Sequence, residues 1–410
     1  MAVVLLGTLD TKGEEYGWLR MRLAEHGVDV LVADVGVLGK PACEAELDRD
    51  TVAAAAGTSV AELVAAGDRG AALRAMTEGA RKLILELHEA GKLSGLLAVG
   101  GSGGSSVAAG VMAALPVGLP KLLVSTMASG DVGPYVGVRD VTLMYSVVDI
   151  AGINSLSEQI FGNAAAAIAG MAKAHDARAA GAAPADAERR RVVALTMFGV
   201  TTPAGEAARR RFEQLGYETL VFHATGAGGR AMEALIDGGF VDGVLDLTTT
   251  ELADDLVGGV LSAGPDRLEA AGRAGIPQVV SVGALDMVNF GPRETVPSQF
   301  ADRKLHVHND TVTLMRTTVA EMEELGRRIG SKLSQASAPA SVFLPLAGVS
   351  ALDCAGGDFA DPEADAACFA ALKAAAAPSV EVAELEHHIN DEAFALAVAD
   401  RLDALMKEAT

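Results

Sequence analysis

Residues 100–106 of this 410-residue chain read Gly-Gly-Ser-Gly-Gly-Ser-Ser, set between an apolar run at 96–99 and a helix-like stretch at 107–115. A strand, a glycine loop and a helix N-terminus in that order make a cradle for an anion. Glycine lets the backbone turn sharply and approach a ligand, while the first unbonded N–H groups and the positive dipole end of the helix attract negative charge. Gly100, Gly101, Ser102, Gly103, Gly104, Ser105 and Ser106 are therefore the first candidates for phosphate or carboxylate binding. The loop lacks the Gly-Lys-Ser/Thr ending of a Walker loop, and Ser106 stands where a dinucleotide fingerprint needs Gly or Ala. A plain structural turn is the competing reading, but a turn needs only one or two glycines.

Two more polar loops follow apolar runs. In 7–13, Thr8, Asp10 and Lys12 sit just past the first strand, at the sheet edge where open α/β sheets bind ligands. Lys12 would neutralise phosphate charge there. Asp10 would hold Mg²⁺, an ion that takes few carboxylates beside phosphate and water oxygens. The alternative is a helix start capped by Thr11, with Lys12 in solvent. In 125–135, Ser125, Thr126, Ser129 and Asp131 suit a polar ligand, or else a Ser/Gly connection capped by Asp131.

In the second half, 226–231 fits G-x-G-x-x-A, with Asp246 about 20 residues further on. Gly228 and Arg230 are candidates for an anion contact from this side, with Glu251 and the threonines before it closing over the ligand. His306 and His308, together with 386–388, offer two imidazole pairs, but without a fixed third ligand a metal site is the lesser reading. There is no G-x-S-x-G elbow and no placed Cys–His pair, so no catalytic nucleophile is assigned.

These loops need elements to position them. Apolar patterning predicts a strand at 2–7, a helix at 13–26 and a strand at 29–34. Two helices broken near 67–70 follow within 51–88, then strands at 95–99 and 121–126. Residues 171–191, polar and Ala-rich with Gly181 and Pro184, predict a helix end and linker. A strand at 192–197, a helix at 204–215 and a strand at 218–222 then repeat the opening pattern. The expected architecture is α/β, with two Rossmann-like doubly wound parallel-sheet domains, 1–180 and 181–410, facing across a cleft.

Half of the residues are hydrophobic and the formal net charge is −21. Such acidity argues against nucleic acid, whose phosphates call for a basic surface. Cys43, Cys354 and Cys368 form no C-x-x-C pair, which fits a reducing cytoplasm. The first apolar run is too short and lacks the basic start of a signal peptide. The uncharged stretch 93–120 is no membrane span, because its glycines and prolines would leave backbone groups unsatisfied in lipid.

With these segments in view, the chain resembles the family named for the tomato mosaic virus resistance protein, whose shared portion is described as an ATP-binding domain and whose bacterial members are uncharacterised. The runs that carry the likeness are Gly-Thr-Leu-Asp-Thr-Lys-Gly-Glu-Glu at 7–15, Val-Gly-Gly-Ser-Gly-Gly-Ser-Ser at 99–106 and Val-Ser-Thr-Met-Ala-Ser-Gly-Asp-Val at 124–132. Others are Met-Tyr-Ser-Val-Val-Asp-Ile-Ala-Gly at 144–152, Val-Thr-Leu-Met-Arg-Thr-Thr at 312–318 and His-Ile-Asn-Asp at 388–391. The resemblance implies two Rossmann-like subdomains, ATP binding in the first, and assembly into homodimers or higher homo-oligomers. The resulting expectation is an ATP-binding protein, with Mg²⁺ as an accompanying ion. The rivals are an enzyme acting on a small anionic metabolite in the interdomain cleft, using Arg316, Asp149 and Glu251, and a non-catalytic regulatory or interaction protein.

Overall fold

Ala2–Gly7 (β1) is buried along its whole length, as a strand must be when helices cover both faces of its sheet. It opens the first of two compact units, Met1–Glu188 and Arg189–Thr410, in a computed structural model that describes residues 1–181 and 190–409. After β1 come α1 (Leu9–Glu25), β2 (Asp29–Asp34), α2 (Arg49–Ala55), α3 (Val60–Ala66), α4 (Arg69–Glu89) and β3 (Leu93–Gly100). The unit continues with α5 (Ser102–Met112), β4 (Lys121–Ser125), α6 (Gly133–Val136), β5 (Thr142–Tyr145) and α7 (Ser155–Ala179). The strands form one parallel sheet in the order β2-β1-β3-β4-β5.

Side chains alternate across β1, so Val3 and Leu5 face one layer while Val4 and Leu6 face the other. The first layer packs Tyr16 and Leu19 of α1 with Phe161 and Ile168 of α7. The second packs Val52, Met76, Ile84 and Val107, from α2, α4 and α5.

Strand order reverses at β1, whose chain neighbours lie on opposite sides. The β1–β3 ladder runs to Leu6↔Ala98, and there Tyr16 intervenes. Its buried hydroxyl accepts from Val99 N–H at 2.8 Å and lies 2.5 and 2.9 Å from the carbonyls of Leu6 and Val99. Its ring fills the space beside Gly7, where an added Cβ would lie 2.0 Å from the ring carbon Cζ. Burial pushes this phenol well above its ordinary pKa, so it stays a neutral bridge.

Three local expectations change. The α1 segment begins at Leu9, but Lys12 leaves helical geometry (φ −133°, ψ 17°), so a single turn precedes the main helix. The 51–88 stretch holds three helices: Gly57 is left-handed at φ +78° after the first, and a Ser59/Glu62 capping box starts the second. The expected linker at 171–191 begins within α7, and its residues 182–189 lie outside those described.

The second unit holds β6 (Val192–Met197), α8 (Thr202–Gln214), β7 (Glu218–His223), α9 (Ala227–Asp237), β8 (Gly243–Thr248), α10 (Glu251–Val257), α11 (Ala270–Ala274) and β9 (Gln278–Gly283). Next come β10 (Met287–Phe290), β11 (Leu305–Asn309), β12 (Val312–Arg316), α12 (Val319–Leu333), β13 (Ala340–Pro345), α13 (Pro362–Ala375), β14 (Glu381–Leu385) and α14 (Glu392–Glu408). Its parallel sheet, β7-β6-β8-β9-β13-β14, repeats the strand order of the first unit and adds one strand. β10, β11 and β12 form a small antiparallel sheet inserted between β9 and β13. Both units are thus Rossmann-like. Among the described residues no helix is long and apolar enough to cross a membrane.

Replacing Tyr16 with Phe strips the Val99 N–H of its partner in a dry core. Urea denaturation of Tyr16→Phe should show a loss of about 1–3 kcal/mol; unchanged stability would mean that the hydroxyl is not needed at the strand split.

Candidate functional site

A cavity of about 390 Å³ opens at the carboxyl ends of β1, β2 and β3. This is the switch point of the sheet, where doubly wound folds bind ligands. Its polar side is built from Thr8, Asp10, Thr11, Lys12, Asp68, Arg69 and residues 100–104, and its apolar side from residues of the β2 end, α3 and α4.

Gly101 is the N-cap of α5 and offers no side-chain cap. The first bond that turns back into this helix runs from Ser105 N to Gly101 O at 2.9 Å. The N–H groups of Ser102, Gly103 and Gly104 therefore have no partner among the described residues, and the loop that carries them lines the cavity. Gly100 must be small, since its Cβ would lie 3.1 Å from Gly104 Cα.

Behind the loop, the buried hydroxyls of Ser105 and Ser125 meet at 2.6 Å, and Ser125 Oγ accepts Met127 N–H at 3.0 Å. Thr126 N donates to Gly100 O at 3.3 Å. Ser105, Ser125 and Thr126 thus brace the cradle from behind and do not line it. Ser106 and Ser129 are exposed and also lie outside the lining, and Asp131 accepts Gly133 N–H at 3.0 Å, the local capping role.

Thr8, Asp10, Lys12 and Gly100–104 do meet at the cavity. The Lys12 ammonium, however, donates to the carbonyl of Ile150, so it is tied to the backbone. Asp10 Oδ2 accepts from the amides of Leu38 (2.6 Å) and Gly39 (3.1 Å), while its Oδ1 is buried without a partner among the described residues. Beside it, Asp34 Oδ1 accepts from Leu9 N (3.0 Å) and Gly36 N (2.8 Å). Burial pushes the Asp34 carboxyl above the ordinary aspartate range against those two bonds, and the charge of Asp10 adds to the push.

Arg69 also lines the cavity, a side chain that sequence patterning does not single out. It is the first residue of α4, behind the N-cap Asp68, and has no hydrogen bond or ion pair among the described residues. Its Nη2 lies 3.3 Å from where Gly103 would carry a Cβ, which puts the guanidinium over the first turn of α5. A cation in the first turn of a helix opposes the helix dipole, so an anion at this point would be favoured by both the exposed guanidinium and the helix end. The available signal was a cap residue followed at once by arginine, Asp68-Arg69.

The candidates of the second unit have local work. Glu251 is fully buried; its Oε1 accepts from the amides of Gly226 (2.6 Å) and Gly229 (3.0 Å), and its Oε2 from Arg267 Nε (2.6 Å). Arg267 also binds Asp246 and Glu233. Glu251 is therefore part of a buried ion cluster rather than a ligand contact. Gly228 is required by the close approach of His223 O, 1.8 Å from its would-be Cβ, and Arg230 Nη1 donates to Ser262 O at 2.7 Å. His306 pairs with Asp358 at 2.7 Å, and no group of three metal-binding side chains occurs among the described residues. Arg316 is buried against Asp365 (3.0 Å) and the carbonyl of Phe359 (2.8 Å), while Asp149 lies exposed.

Two Rossmann-like units, the first with a cavity at its switch point, define the class of this protein. The chain belongs to the uncharacterised protein family UPF0261: residues 1–177 match its N-terminal domain and 190–406 its C-terminal domain. It is 49% identical to a UPF0261 protein of Clostridium tetani and 46% identical to one of Rhizobium meliloti, over 99% and 96% of both chains respectively. It is also 46% identical to the ToMV resistance protein Tm-1(GCR237) of Solanum lycopersicum, over 81% of this chain and 44% of the tomato protein.

The buried acids of the second unit make stability depend on pH. Asp286 is pushed up to about 7 by burial and then by Asp353, and Asp365 to about 8 by the same two causes, with Arg316 opposing both. The folded protein thus keeps protons that an unfolded chain releases near the ordinary aspartate value of 3.8. Their stabilising contribution is full below that value and is lost as pH rises toward 8, at about 1.4 kcal/mol per proton per pH unit. The thermal midpoint should fall steadily across this window, and Asp286→Asn should flatten the slope; a midpoint that rises with pH there would contradict the assignment.

Proposed function

We propose that the first unit is an ATP-binding module whose phosphates sit on the N-terminus of α5. The observation that carries this reading is the meeting, at one cavity, of three unpartnered N–H groups (Ser102, Gly103, Gly104) with the unpaired guanidinium of Arg69. Both are donor-only, both carry positive charge, and together they match the several oxygens of a polyphosphate. The family resemblance, which implies ATP binding in this half of the chain, points the same way.

Magnesium fits beside this site. Asp10 lines the cavity and its Oδ1 has no partner among the described residues, which leaves a carboxylate for Mg²⁺, held in nucleotide sites by one or two carboxylates plus phosphate and water. The module works in the cytoplasm as a homodimer or larger homo-oligomer, with the second unit as a sister domain of the same strand order.

Isothermal titration of the full chain with ATP, with and without Mg²⁺, tests this. Saturable binding is expected, and Arg69→Ala should weaken it by roughly ten- to a hundredfold, the worth of one charged hydrogen-bonding group. Because Arg69 is exposed, that substitution leaves the fold intact. No detectable binding at millimolar ATP would sink the proposal.

A further inference from the structure

The two halves of the cavity differ in what they can recognise. The phosphate half reads charge through backbone N–H groups and Arg69. The other half is formed by Val35, Val37, Leu63, Val64, Leu73 and Met76, which offer hydrocarbon and one thioether. None of these side chains can donate a hydrogen bond.

Most main-chain amides there are engaged, and Val37 N–H is the one of residues 35–39 that no group among the described residues takes up. Val35 N already donates to Gly7 O at 2.9 Å and Gly36 N to Asp34 Oδ1 at 2.8 Å, while the amides of Leu38 and Gly39 are taken by Asp10 Oδ2. A site tells adenine from guanine or cytosine by pairing donors and acceptors with the ring nitrogens and exocyclic groups. A hydrocarbon pocket, by contrast, separates isosteric ligands only weakly. Val64, 56% exposed, stands at the rim, where the polar edge of a flat ring would meet water.

Resting on the nucleotide reading above, we propose that this site selects the polyphosphate and is indifferent to the base: its ligand class is nucleoside triphosphates at large, with the base held only by apolar contact. The phosphate end supplies specificity, and the apolar half supplies affinity without identity.

Calorimetric titration of the full chain with ATP, GTP, CTP and inorganic tripolyphosphate, each with Mg²⁺, separates the possibilities. The three nucleotides should bind within about tenfold of one another, and tripolyphosphate should bind more weakly than all three by about tenfold or more, through loss of apolar burial. Val64→Ala, at an exposed position, should weaken the three nucleotides alike and leave tripolyphosphate unchanged. A preference for one base beyond about tenfold overturns the inference, and so does tripolyphosphate binding as tightly as ATP. Both of those outcomes leave the nucleotide reading standing. Absence of binding by all four ligands defeats that reading, and this inference with it.

Discussion

The hydroxyl of Tyr16 sits where β1 and β3 stop pairing, and the first unit is arranged around that split. A parallel ladder continued past Leu6 and Ala98 would close the sheet edge. The phenol instead takes up Val99 N–H and faces two carbonyls, so the strands part with their polar groups satisfied. Beyond the split the chain turns outward on both sides, into the segment after Gly7 and into the glycine loop after Gly100, and the cavity lies at their meeting. The cradle therefore depends on a tyrosine that never touches it.

The two units share a strand order and differ in how they satisfy a helix N-terminus. In the first, the start of α5 has no side-chain cap and faces a cavity. In the second, the carboxylate of Glu251 accepts the amides of Gly226 and Gly229 at the start of α9, and Arg267 neutralises it. A carboxylate of the chain itself occupies the kind of place that an external anion takes in a cradle. The fingerprint-like glycine pattern at 226–231 is thus answered by a carboxylate from within the chain.

Much of this was legible in the sequence. Strand and helix alternation gave the two doubly wound sheets, because buried parallel strands must be apolar on both faces. The loops at 7–13 and 100–104 were legible because a strand leading into glycine and a helix has few structural alternatives. Arg69 was not, since its importance comes from proximity to Gly103, 34 positions away along the chain. Ser105, Ser125 and Thr126 were assigned to the ligand because hydroxyls at a sheet edge look alike in sequence, whether they face a cavity or brace its back. Glu251 misled for a related reason: its charge suggests exposure, and its partner Arg267 becomes a neighbour only through the fold. The extra helix break at Gly57 had a local signal, Gly57-Thr58-Ser59 with Glu62 three residues after the serine, which the Ala-rich composition on either side outweighed.

The cradle presents its anion contacts through main-chain amides of Ser102, Gly103 and Gly104. Truncating the side chain of Ser102 leaves its N–H in place, so Ser102→Ala would read as inert, and natural drift at Ser102 would leave the same donors behind. Recognition of this kind is vulnerable to proline, which deletes the donor, and to bulk at Gly100, which pushes the loop apart. The site is therefore encoded in backbone shape more than in side-chain identity, and a census of charged residues alone would overlook most of it.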